Sequence, residues 1–165
     1  MIKLKVNDEN YLVSPADGII SQITETSGPI ELGLENKKFT RVSIFMNVFN
    51  CHVNRIPCSG KISKIFYKPG KYINASLDKS SEENERNYVL MNNTEGDEII
   101  LVQIAGLIAR RIVCEAKEND ENKQGDKFGI IRFGSRVDLY FENYQLMVCK
   151  NQNTIGGETI IAKKK

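Results

Sequence analysis

The 165-residue chain has no tryptophan, one histidine and four prolines, and its four cysteines, Cys51, Cys58, Cys114 and Cys149, form no CxxC pair. A single imidazole cannot complete a Cys/His zinc set of usual spacing, so no metal site is expected. The sequence as given carries no signal peptide, and the thiols are expected to be reduced, small and mostly buried in an intracellular protein. No apolar run approaches the roughly 20 residues that span a bilayer. The chain is therefore expected to be soluble, with a membrane segment ahead of Met1 left open. Charge of one sign is also lacking: 23 basic against 21 acidic residues leave +2, without the concentrated basic face a nucleic-acid binder needs.

What is present is a 41% hydrophobic sequence without low-complexity tracts, enough for one domain over residues 1–165 and too little for two. Val, Ile, Phe and Tyr alternate or cluster between Gly, Pro, Asn and Asp, the pattern of short strands. The expected strands are Tyr11–Ser14, Gly18–Thr24, Thr40–Met46, Gly60–Tyr67, Arg86–Asn92, Glu98–Ile104, Gly129–Phe133, Val137–Phe141 and Thr159–Ala162. Turns are expected at Pro15-Ala16-Asp17-Gly18, Pro57-Cys58-Ser59-Gly60 and Pro69-Gly70. The fold class is mainly β, a single-domain β-sandwich or barrel-like fold of antiparallel strands with at most one or two short helices.

The candidate helix is Ile108–Ala116, where Ile108, Ile112 and Ala116 share a helical face, although the same residues can continue a strand. Glu115–Gly125 is charged and reads as a surface loop. The closing Lys163-Lys164-Lys165 reads as a frayed end with weak attraction to anionic lipid as the alternative. Val13–Ile20 and Arg55–Ile62 each contain a proline turn, a glycine and a renewed strand, the outline of an internal repeat.

Gly129-Ile130-Ile131-Arg132-Phe133-Gly134-Ser135-Arg136-Val137 sets a Gly-Ser pair between two apolar runs, which reads as a strained turn. A serine hydroxyl there can attack the carbonyl of the preceding glycine and turn the amide into an ester. Elimination across the serine Cα and Cβ then leaves dehydroalanine, which hydrolyses to a pyruvoyl group and ammonia. The dipeptide alone is a weak signal. Context strengthens it, because Ser14-Pro15-Ala16-Asp17-Gly18, Asn50-Cys51-His52-Val53-Asn54-Arg55-Ile56-Pro57, Asn84-Glu85-Arg86 and Gln103-Ile104-Ala105-Gly106 precede it in that order. Together they resemble the phosphatidylserine decarboxylases, in particular a shorter bacterial branch with a Phe-Gly-Ser-Arg cleavage motif, over Leu12 to about Ala162.

The resemblance implies self-cleavage between Gly134 and Ser135, giving a β chain 1–134 and an α chain 135–165 that stay together as a heterodimer, alone or in a higher oligomer. Ser135 is then both nucleophile and source of the pyruvoyl cofactor, whose ketone takes the amine of the substrate and accepts the electrons left by departing CO2. His52 sits in the family's histidine motif, and imidazole moves protons near neutral pH. Asp17 matches the family's essential aspartate. The larger branch carries a second histidine three residues on, where this chain has Arg55, so His52 serves decarboxylation and its part in cleavage is open. The implied substrate is phosphatidylserine in the bilayer, converted to phosphatidylethanolamine by a peripheral protein on the cytoplasmic side of the cell membrane, with no nucleic-acid partner. Phe45, Val48 and Phe49 can dip into that interface or pack a core strand. Arg110, Arg111 and Arg136 can attract the lipid phosphate or lie on a solvated face. Asn84-Glu85-Arg86 can form a buried ion pair or meet a partner. The alternatives are a pyruvoyl decarboxylase of a soluble amino acid and an uncleaved β domain that binds a lipid or a partner.

Overall fold

The computed structural model describes residues 8–46, 52–76, 83–106, 112–131 and 134–165. Their strands are β1 (Tyr11–Val13), β2 (Gly18–Ser27), β3 (Lys38–Met46), β4 (Val53–Arg55), β5 (Gly60–Lys68), β6 (Arg86–Asn93), β7 (Glu98–Ile104), β8 (Ile112–Cys114), β9 (Glu121–Asn122), β10 (Lys127–Ile131), β11 (Ser135–Phe141), β12 (Tyr144–Leu146), β13 (Asn153–Thr154) and β14 (Ile160–Lys164). A 3-10 turn spans Ile30–Leu32. The fold is mainly β, as the alternation implies, with antiparallel sheets curled into a half-barrel.

One eight-stranded sheet runs β13-β2-β3-β11-β7-β6-β5-β9, and two three-stranded sheets run β1-β14-β12 and β4-β10-β8. Period-2 alternation sends Ile99, Leu101, Val137, Leu139 and Phe141 into a main core with Leu12, Phe128 and Ile161 of the smaller sheets and Ile56 just after β4. Ile100, Val102, Ile104 and Tyr140 point the other way, into a second core closed by Leu32 and Phe39. Both faces of the centre are thus covered, and all seven residues of β11 are buried. Each such aliphatic side chain contributes about 1.5–3 kcal/mol.

The repeat suspected from the two proline turns extends through the whole fold. Val13 N–H donates to Pro57 O (3.0 Å) and Arg55 N–H to Pro15 O (2.8 Å), a reciprocal pair about a pseudo-twofold axis. Bulges fall at Ile20/Gln22 between β2 and β3 and at Ile62/Lys64 between β5 and β6. Asn151 and Asn119 donate to Ile20 O and Ile62 O at 2.8 Å each. Their φ values are 73° and 72°, and those of Gly157 and Gly125 are 77° and 86°. Leu139 pairs with Leu101 where the axis crosses. One repeat is β4–β10, and it is inserted between β3 and β11 of the other, which comprises β1–β3 and β11–β14.

Four expectations change. The closing lysines are no frayed end, because Lys163 pairs with Tyr11 and Lys164 with Tyr144 in β14. Ile112–Cys114 of the candidate helix is a strand, because Ile112, Val113 and Cys114 pair with Ile131, Ile130 and Gly129; Ile108 lies outside the described residues. The loop Glu115–Gly125 contributes Glu121–Asn122 to the sheet edge beside Gly60 and Lys61. Of the described cysteines only Cys58 is buried, Cys114 being intermediate and Cys149 exposed; all three are free thiols. Burial pushes the Cys58 thiol up to about 12, which leaves it inert.

Candidate active site

The inserted repeat leaves β3 after Met46 and returns to β11 at Ser135. Gly134 has φ +77°, and its N–H donates to Met46 O at 2.6 Å. An L-residue in that left-handed conformation costs about 1–2 kcal/mol, so the chain's handedness selects glycine here. Ser135 is the first residue of β11, pairs with Met46 and is fully buried. Its Oγ lies 3.8 Å from Met46 Sδ. Alternation sends Ser135 toward the main core and Arg136 to the opposite face.

Behind the serine runs a buried polar chain. Asn54 Nδ2 donates to Met46 Sδ (3.9 Å), Gln103 Nε2 donates to Asn54 Oδ1 (3.0 Å) and Val113 O (3.1 Å), and Asn87 Nδ2 donates to Gln103 Oε1 (3.1 Å). Buried amides satisfied in this way hold their rotamers. The chain joins the histidine motif, through Asn54, to the Gln103-Ile104-Ala105-Gly106 motif. The same β7 end reaches the Gly-Ser turn, for a Cβ added to Gly106 would meet the Gly134 carbonyl oxygen at 1.8 Å.

His52 precedes β4, is half-buried, and its carbonyl accepts the Ile131 N–H at 3.0 Å, just before the return to Ser135. His52 and Ser135 therefore stand at the ends of the two connections between the repeats. Asp17 ends the first proline turn, two strands from Ser135, roughly 10 Å between backbones at about 4.8 Å per strand. Its Oδ1 accepts the Gly156 N–H at 2.6 Å. Arg55 flanks the same turn: its Cδ would lie 2.9 Å from a Cβ on Gly157, and its Nη1 donates to Gly125 O at 2.8 Å. Arg55 thus ties two equivalent left-handed glycine turns together.

Asn84-Glu85-Arg86 is the buried cluster that was one of its two readings. Asn84 Nδ2 donates to Ile73 O and Ala105 O, both at 2.7 Å, and its Oδ1 accepts the Ile73 N–H at 3.0 Å. Glu85 Oε2 accepts the Tyr67 and Tyr72 hydroxyls at 2.6 and 2.9 Å. That bond to a carboxylate pushes the Tyr67 phenol up to about 12. Arg86 pairs with Glu31 at 3.0 Å.

Arg136 is not on a solvated face: it is 1% exposed, forks onto Asp138 at 2.9 and 3.2 Å, and donates to Ala75 O. Phe45 is half-buried on β3. Val48, Phe49, Arg110, Arg111, Cys51 and Phe133 lie outside the described residues. Met46, Asn54, Gln103 and Gly106 were given no role by the sequence, although three of them stand within quoted motifs. Among the described residues no three His, Cys, Asp or Glu side chains gather as a metal site, and no helix is long and apolar enough to cross a membrane.

A family model described as phosphatidylserine decarboxylase matches residues 3–162. The phosphatidylserine decarboxylase proenzyme of Pelagibacter ubique is 64% identical over 162 residues, covering 98% of this chain and 75% of that protein. The proenzymes of Rickettsia typhi and Rickettsia prowazekii are each 59% identical over 155 residues, covering 93% of this chain and 67% of theirs.

Proposed function

Since the chain belongs to the phosphatidylserine decarboxylase family, we infer that it is a carboxy-lyase of phospholipid synthesis that converts phosphatidylserine to phosphatidylethanolamine and CO2. The observation that carries its self-processing is the Gly134-Ser135 turn, a left-handed glycine followed by a fully buried serine at the head of the central strand.

Ser135 Oγ attacks the Gly134 carbonyl carbon, the C–O bond forms, the C–N bond breaks, and the hydroxyl proton passes to the released amine. Loss of the Ser135 Cα proton then expels the Gly134 carboxylate, and water replaces the amine as ammonia. The buried serine fits this sequence, since a dry turn protects the ester from simple hydrolysis. When formed, the pyruvoyl group supplies an electron sink for the pair left by CO2. His52 returns the proton to the substrate carbon, a role worth about 10²–10⁴ in rate. Asp17 acts on the same end of the sheet by orienting protonated groups. The protein meets its substrate peripherally, at the cytoplasmic side of the cell membrane, as a β/α heterodimer of 1–134 and 135–165.

Intact mass of the purified protein beside Ser135→Ala tests the reading. Two fragments ending at Gly134 and beginning with a ketone in place of the Ser135 amine are expected, with the variant uncut. One uncut chain in both overturns it. Vesicles of phosphatidylserine against free amino acids then separate a lipid decarboxylase from a soluble one.

A further inference from the structure

We propose that Gly106 is a positioning residue for self-cleavage, its missing side chain leaving the space that the scissile Gly134 carbonyl occupies. The proposal rests on the reading of Ser135 as the nucleophile. A Cβ on Gly106 would stand 1.8 Å from the Gly134 oxygen and 2.8 Å from its carbon, with Ala75 Cβ at 3.3 Å on another side. Real carbon and oxygen atoms keep about 3 Å or more apart, and the clash is with backbone at the bond to be broken, so the peptide itself would have to move.

The pseudo-symmetry supplies an internal control. Gly96 is the repeat-mate of Gly134: its φ is +88°, and its N–H donates to Asn93 O at 3.0 Å as that of Gly134 donates to Met46 O. The Gly96 carbonyl accepts the half-buried Asn92 Nδ2 at 3.3 Å, and the next residue is Asp97. A left-handed glycine ahead of the strand is therefore common to both turns. What distinguishes the Gly134 turn is the buried serine and the close approach of Gly106.

Position matters because attack puts negative charge on the Gly134 oxygen while the C–O bond forms and before the C–N bond breaks. The segment after β7 that runs beside this oxygen is itself fixed: Ala105 N–H donates to Glu85 O at 2.9 Å and Ala105 O accepts Asn84 Nδ2. A misplacement of about 1 Å at a reacting centre costs on the order of 10²-fold.

The test follows the cut by intact mass during cell-free synthesis of the full chain, for wild type, Ser135→Ala, Gly106→Ala, the Gly106→Ala/Ser135→Ala pair and Asp97→Ser. We expect Gly106→Ala to cut on the order of 10²-fold more slowly, and hydroxylamine, which releases esters, to free no fragment from it. We expect the pair to melt cooperatively near Ser135→Ala, and Asp97→Ser to stay whole at Gly96. Cutting of Gly106→Ala at the wild-type rate, ester release by hydroxylamine, or loss of the cooperative melt in the pair each overturns the positioning role; cutting at Gly96 overturns the argument from the repeat. A wild type that never cuts is a different failure, that of Ser135 as nucleophile.

Discussion

Under the proposed function, His52 must move the proton alone, since the chain has no other histidine. The position three residues on holds Arg55, whose Nη1 donates to Gly125 O at 2.8 Å and whose stem packs against the Gly157 turn. Arg55 is thus committed to a backbone carbonyl, which leaves one imidazole for the proposed chemistry. His52→Ala is expected to cut at Gly134 as wild type does, but to release CO2 from phosphatidylserine vesicles about 10²–10⁴-fold more slowly. Intact mass reads the first property and trapped CO2 the second. A variant that stays uncut would move His52 into the cleavage step. Asp17 offers a contrast: the register holds it beside Gly156, so any influence on Ser135 crosses the intervening strand β3 and passes through an intermediate group.

At the scale of elements, the segment from Lys71 to Ser76 has few backbone partners of its own and is fastened to the end of β7 by Asn84. Asn84→Ala would strand the Ile73 N–H and the Ile73 and Ala105 carbonyls, each costing about 1–3 kcal/mol if left buried. A loss of roughly 3–5 kcal/mol is expected, read as a lower urea midpoint with unchanged slope. Because Ala105 adjoins Gly106, slower cutting should accompany it. The long strands were legible in the sequence, since β2, β3, β5, β6, β7 and β11 carry enough alternating residues to show a period of two. The short strands β4, β8, β9, β12 and β13 were not, because two or three residues have no period and are made strands by their partners. Ile112 and Ala116 matched helical spacing by chance, and the pairing of Ile112–Cys114 with β10 outweighed it. The repeat was visible only at its proline turns: Ile20 and Ile62 match in the two halves, but most equivalences lie in backbone geometry that different side chains satisfy. For the proposed site, the resemblance implied Ser135, His52 and Asp17, whereas the contacts of Met46 and Gly106 depend on which strand ends meet.

For the molecule as a whole, acid stability and the consequences of the cut both follow from how the repeats interlock. Burial alone would raise the Glu31 carboxyl, but its backbone N–H, Arg86 and Lys68 outweigh that and hold it below its ordinary value. Asp97 is likewise lowered against burial, by Asn93 and Asn143 as donors with Lys164 and Lys37 nearby. A carboxyl lowered in the fold contributes stability above its unfolded pKa and loses it as pH falls through the folded value. Melting temperature should thus hold from pH 7 to about 5 and fall below about 4, with a shallower acid slope in Glu31→Gln. The proposed cut acts differently, because it removes one covalent link and no strand pairing. β11 lies between β3 and β7, β13 pairs with β2, and β14 pairs with β1. Every one of those partners belongs to residues 1–134, so fragment 135–165 cannot leave without exposing the fully buried β11. The two fragments should co-elute in native gel filtration and separate only in denaturant. Unfolding nevertheless becomes a dissociation once the link is gone, and mass action then makes the midpoint depend on concentration. Dilution over two decades should lower the melting temperature of cut wild type while that of uncut Ser135→Ala stays put. Equal insensitivity in both would mean that the fragments remain joined in the unfolded state, and so that the bond between Gly134 and Ser135 had not been broken.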